Sequence, residues 1–357
     1  MRVLFIAQYG PLAASSRTRV FQYLPHLERA GIETQVRVVI PDSWSTRIGH
    51  RGAASRLLYY VASFVRTVWV GIGCVLAAAS FDRVVIQKVL FPGPISLLLR
   101  RWRSKIIYDF DDAIFTTDAP RGLLGRLSAW RRGSGLPRML SGSSTAIVEN
   151  EYTRAYAAGF CERVEIITGP IDTDRYAPGA EKTRSDVVLG WIGSPTTTPY
   201  LDEIVRPLEE VVAKRDNVSL RLIGALPFEP TGIRVEQFDW SLETEVELLA
   251  GCDIGLMPLP DDPWTRGKGG YKLLQYCSVG LPVIASPVGV NTEIVEDGLN
   301  GFLADSDETW IDTLIQLIDD SELRSKMGRA GRKRMLDQFS LDHSSRKFVG
   351  ILNQSNK

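Results

Sequence analysis

Histidine and cysteine are scarce in this chain: His26, His50 and His343, and Cys74, Cys161, Cys252 and Cys277, in 357 residues. The cysteines are far apart and form no C-x-x-C pair, which argues against a zinc site or a disulfide scaffold and points to reduced, cytosolic thiols. Net charge is absent, with 42 Lys+Arg against 42 Asp+Glu, and so are low-complexity tracts and internal repeats. That composition excludes disordered and solenoid classes and leaves an ordinary globular protein. No leader precedes the first strand, so a cytoplasmic location is expected.

Long apolar runs are also rare. Residues 57–79, LLYYVASFVRTVWVGIGCVLAAA, form the exception, with Arg66 as their one charge. The run is long enough to span hydrocarbon. Three readings compete: a buried or groove-lining helix, a helix lying in a membrane interface, and a true span. A span is rejected, because a central arginine is costly there and the flanking strands at 34–40 and 83–88 would fall on opposite sides of a membrane.

The length exceeds what one core usually organises, so two domains are expected. Strands such as Arg2–Ala7, 105–112 and 187–193 alternate with helical periodicity on both sides of the segment 166–175, which predicts two parallel, doubly wound α/β sheets. The expected division is 1–168 and 169–339, with a C-terminal helix at 340–357 that packs back on the first domain. In such folds a ligand lies at the carboxyl ends of the strands, here in a cleft between the domains.

Overall neutrality hides an asymmetry. Residues 1–165 hold 22 Lys+Arg and 12 Asp+Glu, a net +10, so residues 166–357 hold 20 and 30, a net −10. Arginines interleave with leucines and Trp130 in the acid-free run 121–138, which suits an anionic membrane surface. A solvated helix face is the plain alternative. No nucleic-acid recognition motif accompanies the charge, and no nucleic acid partner is expected.

The most informative segment is 264–286, WTRGKGGYKLLQYCSVGLPVIAS. Gly267, Gly269 and Gly270 allow close backbone approach, and a helix starting near Gly270 aims its positive dipole end at a ligand. Lys268 and Lys272 add charge, so a diphosphate is the natural occupant. Leu273, Leu274 and Cys277 have helical spacing, Gly280-Leu281-Pro282 ends the helix, and Val283-Ile284-Ala285 reads as a buried parallel strand.

This segment resembles the donor-site signature of the retaining GT-B glycosyltransferases (family 4, the glycosyl transferases group 1 type). The resemblance extends to Ser286–Val295, to Asp297–Leu303 and to Ile166–Arg175. It implies a GT-B fold of two Rossmann-like domains, the first holding the acceptor and the second a nucleotide diphosphate sugar. It places the diphosphate on Arg266, Lys268, Gly269, Gly270, Tyr271 and Lys272 and on the loop Gly193-Ser194, the ribose and base on Gln275, Phe238 and Trp240, and an acceptor or phosphate loop at Gly10, Arg17 and Arg19. The two family glutamates are replaced by Gly267 and Gln275, which leaves the sugar open. The position where many relatives carry a histidine falls on Asp111 or Asp112, and a carboxylate there could accept the acceptor's proton; alternatively Asp112 caps a turn and Asp109 pairs with an arginine. Asp109-Phe110-Asp111 is formally a D-x-D, but no metal and no cofactor are expected, because a helix end and lysines already meet the leaving group. The reaction implied is sugar transfer to a hydroxyl of a glycan, lipid-linked or small-molecule acceptor, in cell-envelope glycan biosynthesis, by an enzyme peripheral on the inner face of the membrane. A hydrolase or epimerase on the same fold, or an inactive nucleotide-sugar-binding scaffold, remains the alternative.

Overall fold

The structure, a computed structural model, describes residues 1–44, 53–116, 133–179 and 186–354. Of the basic run 121–138, residues 121–132 therefore lie outside the described residues. Two compact units divide the chain: Met1–Pro170 with Gly267–Gly269 and Ser344–Lys357, and Ile171–Arg266 with Gly270–His343.

In the first unit, β1 (Arg2–Tyr9), β2 (Glu33–Ile40), β3 (Arg83–Gln87), β4 (Ile106–Asp109), β5 (Thr145–Val148) and β6 (Val164–Ile166) form one parallel sheet in the order β2-β1-β3-β4-β5-β6. Val3 to Ala7 are fully buried, and Val84, Val85 and Ile86 beside them likewise, as strands covered on both faces require. Since β1 lies between β2 and β3, the connections leave it in opposite directions, and the switch point falls at the carboxyl ends of β1 and β3. The periodicity of Val20 to Leu27 predicts one helix; the structure has two, α1 (Ala14–Arg19) and α2 (Leu24–Arg29), joined by a 3₁₀ turn at Phe21–Tyr23. The break is at Val20, whose φ of −129° leaves the helical region, and Pro25 suits the first turn of α2, where its missing N–H costs nothing.

The apolar run forms α3 (Ala53–Ala77). By length and composition its apolar part could cross a membrane, with a mean hydropathy of 1.8. Its two flanking strands, β2 and β3, nevertheless lie in one sheet on either side of β1. Its inner side packs against α4 (Gly93–Leu99) at Gly71, where a Cβ would come within 2.9 Å of Ile95 and Phe91. After β5 comes α5 (Glu151–Ala158), capped by Asn150, whose side chain accepts from Thr153 N–H. The C-terminal helix Leu341–Asn353 joins this unit from Ser344 onward: Phe348 stacks on Tyr23 at 4.8 Å, and Arg83 Nε donates to Leu352 O.

The second unit repeats the plan with β7 (Val187–Ile192), β8 (Val218–Ile223), β9 (Arg234–Phe238), β10 (Ile254–Met257), β11 (Val283–Ala285) and β12 (Gly301–Leu303), all parallel, in the order β12-β11-β10-β7-β8-β9. The helices α6 (Val205–Val212), α7 (Glu245–Ala250), α8 (Tyr271–Ser278) and α9 (Asp307–Asp319) flank this sheet, and one core layer joins Leu189, Trp191, Leu220 and Leu256 to Trp310 and Leu314 of α9. The other layer joins Val188 and Val283 to Leu273, Leu274 and Cys277 of α8. Tyr276 ties α8 to the sheet, its hydroxyl accepting from Ile192 N–H at 3.0 Å and donating to Leu256 O at 3.2 Å. Both sheets are thus doubly wound α/β.

Candidate functional site

In the second unit the chain leaves β7 at Ile192 and turns at Gly193. A Cβ at Gly193 would lie 2.2 Å from the ring of Trp191, so only glycine lets the backbone cross that indole. Above the same ring stands Lys272, its Nζ 3.9 Å from the centroid, a cation–π contact on a fully buried aromatic. Lys272 is the second residue of α8, whose N-cap, Gly270, has φ 65°, a left-handed conformation that glycine adopts at no steric cost. None of the described side chains caps that helix end. Trp191, which carries no motif of its own, therefore joins the end of β7 to a lysine at a positive helix terminus.

The sequence-expected base and ribose residues meet through two side chains that sequence reasoning missed. Gln275 Nε2 donates to Tyr176 Oη at 3.0 Å, Tyr176 Oη donates to Glu245 Oε1 at 2.7 Å, and Trp240 Nε1 donates to Glu245 Oε2 at 2.7 Å. Arg175 closes the network on Glu245 at 2.8 Å. Burial, with the Glu245 carboxylate beside it, raises the Tyr176 hydroxyl above its ordinary pKa, so it stays a donor. Gln275 is itself buried, with its amide N–H committed to this chain. Phe238 and Trp240 are partly exposed, and the Arg221 guanidinium stands 5.5 Å over the Phe238 ring.

Two groups expected at the diphosphate already have other partners in this structure. Gly193 N–H donates to Ile223 O and Ser194 N–H to Thr197 Oγ1, so neither amide is offered to a phosphate; Ser194 is the cap of the 3₁₀ helix Pro195–Ile204. The hydroxyls of Ser194 and Thr196, 2.9 Å apart, are what that loop presents. Arg266 is exposed and forms a bidentate pair with Asp261 at 2.6 and 2.9 Å.

Gly267, Lys268 and Gly269 belong to the first unit. A Cβ at Gly267 would lie 2.3 Å from Ala113 Cβ and 2.6 Å from its backbone nitrogen, so the glutamate of the resembled pattern has no room. Asn150 Nδ2 donates to Lys268 O at 2.9 Å, and a Cβ at Gly269 would meet the Glu149 carboxyl at 2.5 Å. The loop between β5 and α5 thus holds Lys268 and Gly269, while Gly267 packs on Ala113 after β4.

At the ends of β3 and β4, Lys88 and Asp112 both take left-handed backbones, with φ of 61° and 56°. Such conformations in non-glycine residues store strain and gather at functional sites. Lys88 Nζ lies 2.6 Å from Asp111 Oδ1 and 3.4 Å from Asp112 Oδ2. Burial alone would raise the Asp111 carboxyl; the Lys88 charge and hydrogen bonds from Lys88 and Ser15 outweigh it and hold Asp111 below its ordinary value. Lys88 had no sequence signal, since neither its φ nor a partner 23 positions away shows in local pattern.

Gly10 turns against Asp42, whose carboxyl a Cβ would meet at 2.5 Å, and Leu12 N–H donates to that carboxyl. Arg17 folds back on the same loop, Nη1 donating to Leu12 O at 3.1 Å. Arg19 is a correction: it is 1% exposed, its guanidinium buried among carboxylates rather than presented in an acceptor or phosphate loop. Its guanidinium pairs with Asp109 at 2.7 and 2.9 Å, with Glu149 at 3.0 Å and with Ile167 O at 2.5 Å. One cation thus serves two buried carboxylates, and burial pushes the Glu149 carboxyl up to about 7 against the pull of Arg19. The two acids of the D-x-D consequently face different cations, Arg19 and Lys88. Among the described residues no group of three or more His, Cys, Asp or Glu is disposed to hold a metal.

Comparison with known proteins is consistent with this layout. Residues 233–334 match the family model "Glycosyl transferases group 1". A GDP-mannose-dependent monoacylated alpha-(1-6)-phosphatidylinositol monomannoside mannosyltransferase of Corynebacterium glutamicum is 26% identical over 53% of this chain and 55% of its own. An N-acetyl-alpha-D-glucosaminyl L-malate synthase of Bacillus anthracis is 33% identical over 44% and 42%. The chain thus spans about half the length of the curated relatives it matches. Among solved structures, Anabaena Alr3699/HepE in complex with UDP superposes with a TM-score of 0.66 at 14% identity, covering 99% of both chains. WaaG, a glycosyltransferase involved in lipopolysaccharide biosynthesis, superposes with a TM-score of 0.67 at 18% identity, covering 99% of this chain and 100% of that one. Residues 233–334 are thus similar to the group 1 glycosyl transferases, and the chain has the GT-B fold.

Proposed function

We propose that the protein is a retaining glycosyltransferase that moves a sugar from a nucleotide diphosphate sugar to an acceptor hydroxyl. The observation that carries this reading is the stacking of Lys272 on Trp191 at the N-terminus of α8, a fixed cation beside a helix dipole. Such an arrangement stabilises the charge that develops on a departing diphosphate. Lys268 and Tyr271 would share the diphosphate, and Gln275, Phe238 and Trp240 would hold the ribose and base. The names of the relatives, a GDP-mannose-dependent mannosyltransferase and a UDP complex, support a nucleotide-bound donor.

Retention would follow from same-face attack, with a diphosphate oxygen taking the acceptor proton, and no strong protein base is then required. Asp111, held ionised by Lys88, suits hydrogen bonding to the acceptor hydroxyl better than full proton abstraction. The reaction needs no metal in this reading, since lysines and a helix end carry the leaving group. The basic first half and the apolar α3 favour a cytoplasmic enzyme held peripherally on an anionic membrane face.

Ligand-observed NMR and thermal shift against a panel of nucleotide sugars test the proposal. One nucleotide sugar should bind and its free diphosphate should compete; a panel without a binder would overturn it.

A further inference from the structure

The long helix α3 packs on one side only. Thr67, Val70 and Cys74 face inward, whereas Leu58, Val61, Val65, Trp69, Ile72 and Leu76 recur every three or four residues on the outside. Trp69 is 78% and Leu76 75% exposed, and Leu97 and Leu98 of α4 are also exposed. The stripe runs for about 27 Å at 1.5 Å per residue. A contiguous apolar face of that length on a soluble unit marks an interaction surface.

Arg66 identifies what the face meets. It is turned away from the stripe: Nη2 donates to Val38 O at 3.3 Å, and the guanidinium stands 5.7 Å over Trp44. Its Nε is buried and finds no hydrogen-bond partner among the described residues. Between α3 and the edge strand β2 runs a groove of about 850 Å³, walled by Val36, Val38, Trp44, Val65 and Trp69, with Arg37 and Arg66 as its charges. That volume falls within the usual range for small-molecule sites, roughly 300–1,000 Å³. A sugar would find only Arg37 and Arg66 as charged side-chain partners along these walls, whereas a hydrocarbon chain needs none and matches their apolar side chains.

Charge and position select the rest of the molecule. Both charges that line the groove are cations, Arg37 and Arg66, and no Asp or Glu is among its described lining residues. An anionic head is therefore complementary to this side of the unit. Two residues before the groove, Tyr60 lies within electrostatic range of Tyr9, whose hydroxyl also feels Lys88 and Asp111. A chain lying along α3 would bring its head toward the Lys88–Asp111 pair.

We propose that the groove between α3 and β2 binds the hydrocarbon chain of an amphiphilic acceptor with an anionic head, which makes the acceptor lipid-linked. This rests on the transferase reading. Trp44 and Trp69 are built-in reporters, so the probe is 12-bromododecyl phosphate, kept below its micellar concentration, with tryptophan quenching as readout. Quenching should saturate, be lost on Trp44→Phe with Trp69→Phe, and weaken at least tenfold on Ala62→Phe or, should that variant not fold, Val65→Phe. Butyl phosphate should not compete, and affinity for UDP or GDP should not change in either groove variant.

Absent or non-saturating quenching, or equal competition by butyl phosphate, would overturn the groove. So would a dimer in sedimentation that Trp69→Gln dissociates while the probe fails to bind, since the face would then be covered by a second copy. Saturable chain binding without any nucleotide binding would leave the groove standing and sink the transferase reading instead.

Discussion

Lys272 holds its ammonium 3.9 Å above the indole of Trp191, and Gly193 crosses the same ring where no side chain would fit. The platform is rigid, because Trp191 is fully buried in the core of the second unit. A cation on such a face gains about 0.5–2 kcal/mol and loses less entropy on meeting a phosphate. Trp191→Leu should therefore weaken nucleoside diphosphate binding, and should add almost nothing in a Lys272→Ala background. A double-mutant cycle by calorimetry should return a coupling of about 0.5–2 kcal/mol. Additive losses would mean that the stacking is incidental to binding.

Gly267 stands where the resembled signature has a glutamate, and Ala113 leaves no space for a Cβ there. Gly267→Ala should cost roughly 1–3 kcal/mol by overpacking, read in urea denaturation, and should weaken nucleotide binding by shifting Lys268. Restoring the family residue with Gly267→Glu should do more harm, not less. Gain of activity in the glutamate variant would contradict the packing.

Stability should depend on pH through Glu149. Folded, its carboxyl is raised to about 7 from 4.5 by burial, so the native state keeps a proton that the unfolded state has released. Between those values the unfolded chain binds fewer protons, and unfolding free energy falls as pH rises. The loss between pH 4.5 and 7 should be at most about 3 kcal/mol. Burial also raises Asp109, so Glu149→Gln should flatten this slope in urea titrations without abolishing it. An unchanged slope would place the effect elsewhere.

The charge asymmetry predicts binding to vesicles of anionic lipid that weakens as salt rises, with screening over about 10 Å at 0.1 M. Replacing Arg126, Arg131 and Arg132 with glutamine should lower vesicle binding and leave nucleotide affinity intact. Sedimentation with vesicles checks both; indifference to anionic lipid at low salt would remove the membrane from the account.

Much of this was legible in the sequence. Val187–Ile192 and Val283–Ala285 are short apolar runs of the kind buried parallel strands show, and Gly270 before Tyr271 marked the start of α8. Side-chain partnerships were not. Tyr176 and Glu245 are 69 residues apart, as are Arg19 and Asp109 at 90, and only the fold brings them together. Arg19 reads as part of an acceptor or phosphate loop because its two carboxylates are invisible from its neighbours. Lys88 was missed, and Asp112 was expected without its strained backbone, for a different reason: the positive φ of each is imposed by tertiary structure, against local preference.

The most direct test is calorimetric titration of the nucleoside diphosphate into the wild-type protein and into Lys268→Ala and Lys272→Ala, all in excess EDTA. Each charge-assisted contact is worth roughly 1.5–3 kcal/mol, so each variant should bind at least about tenfold more weakly, and the wild type should bind without metal. Equal affinity in all three proteins, or wild-type binding that returns only with magnesium or manganese, would contradict the account.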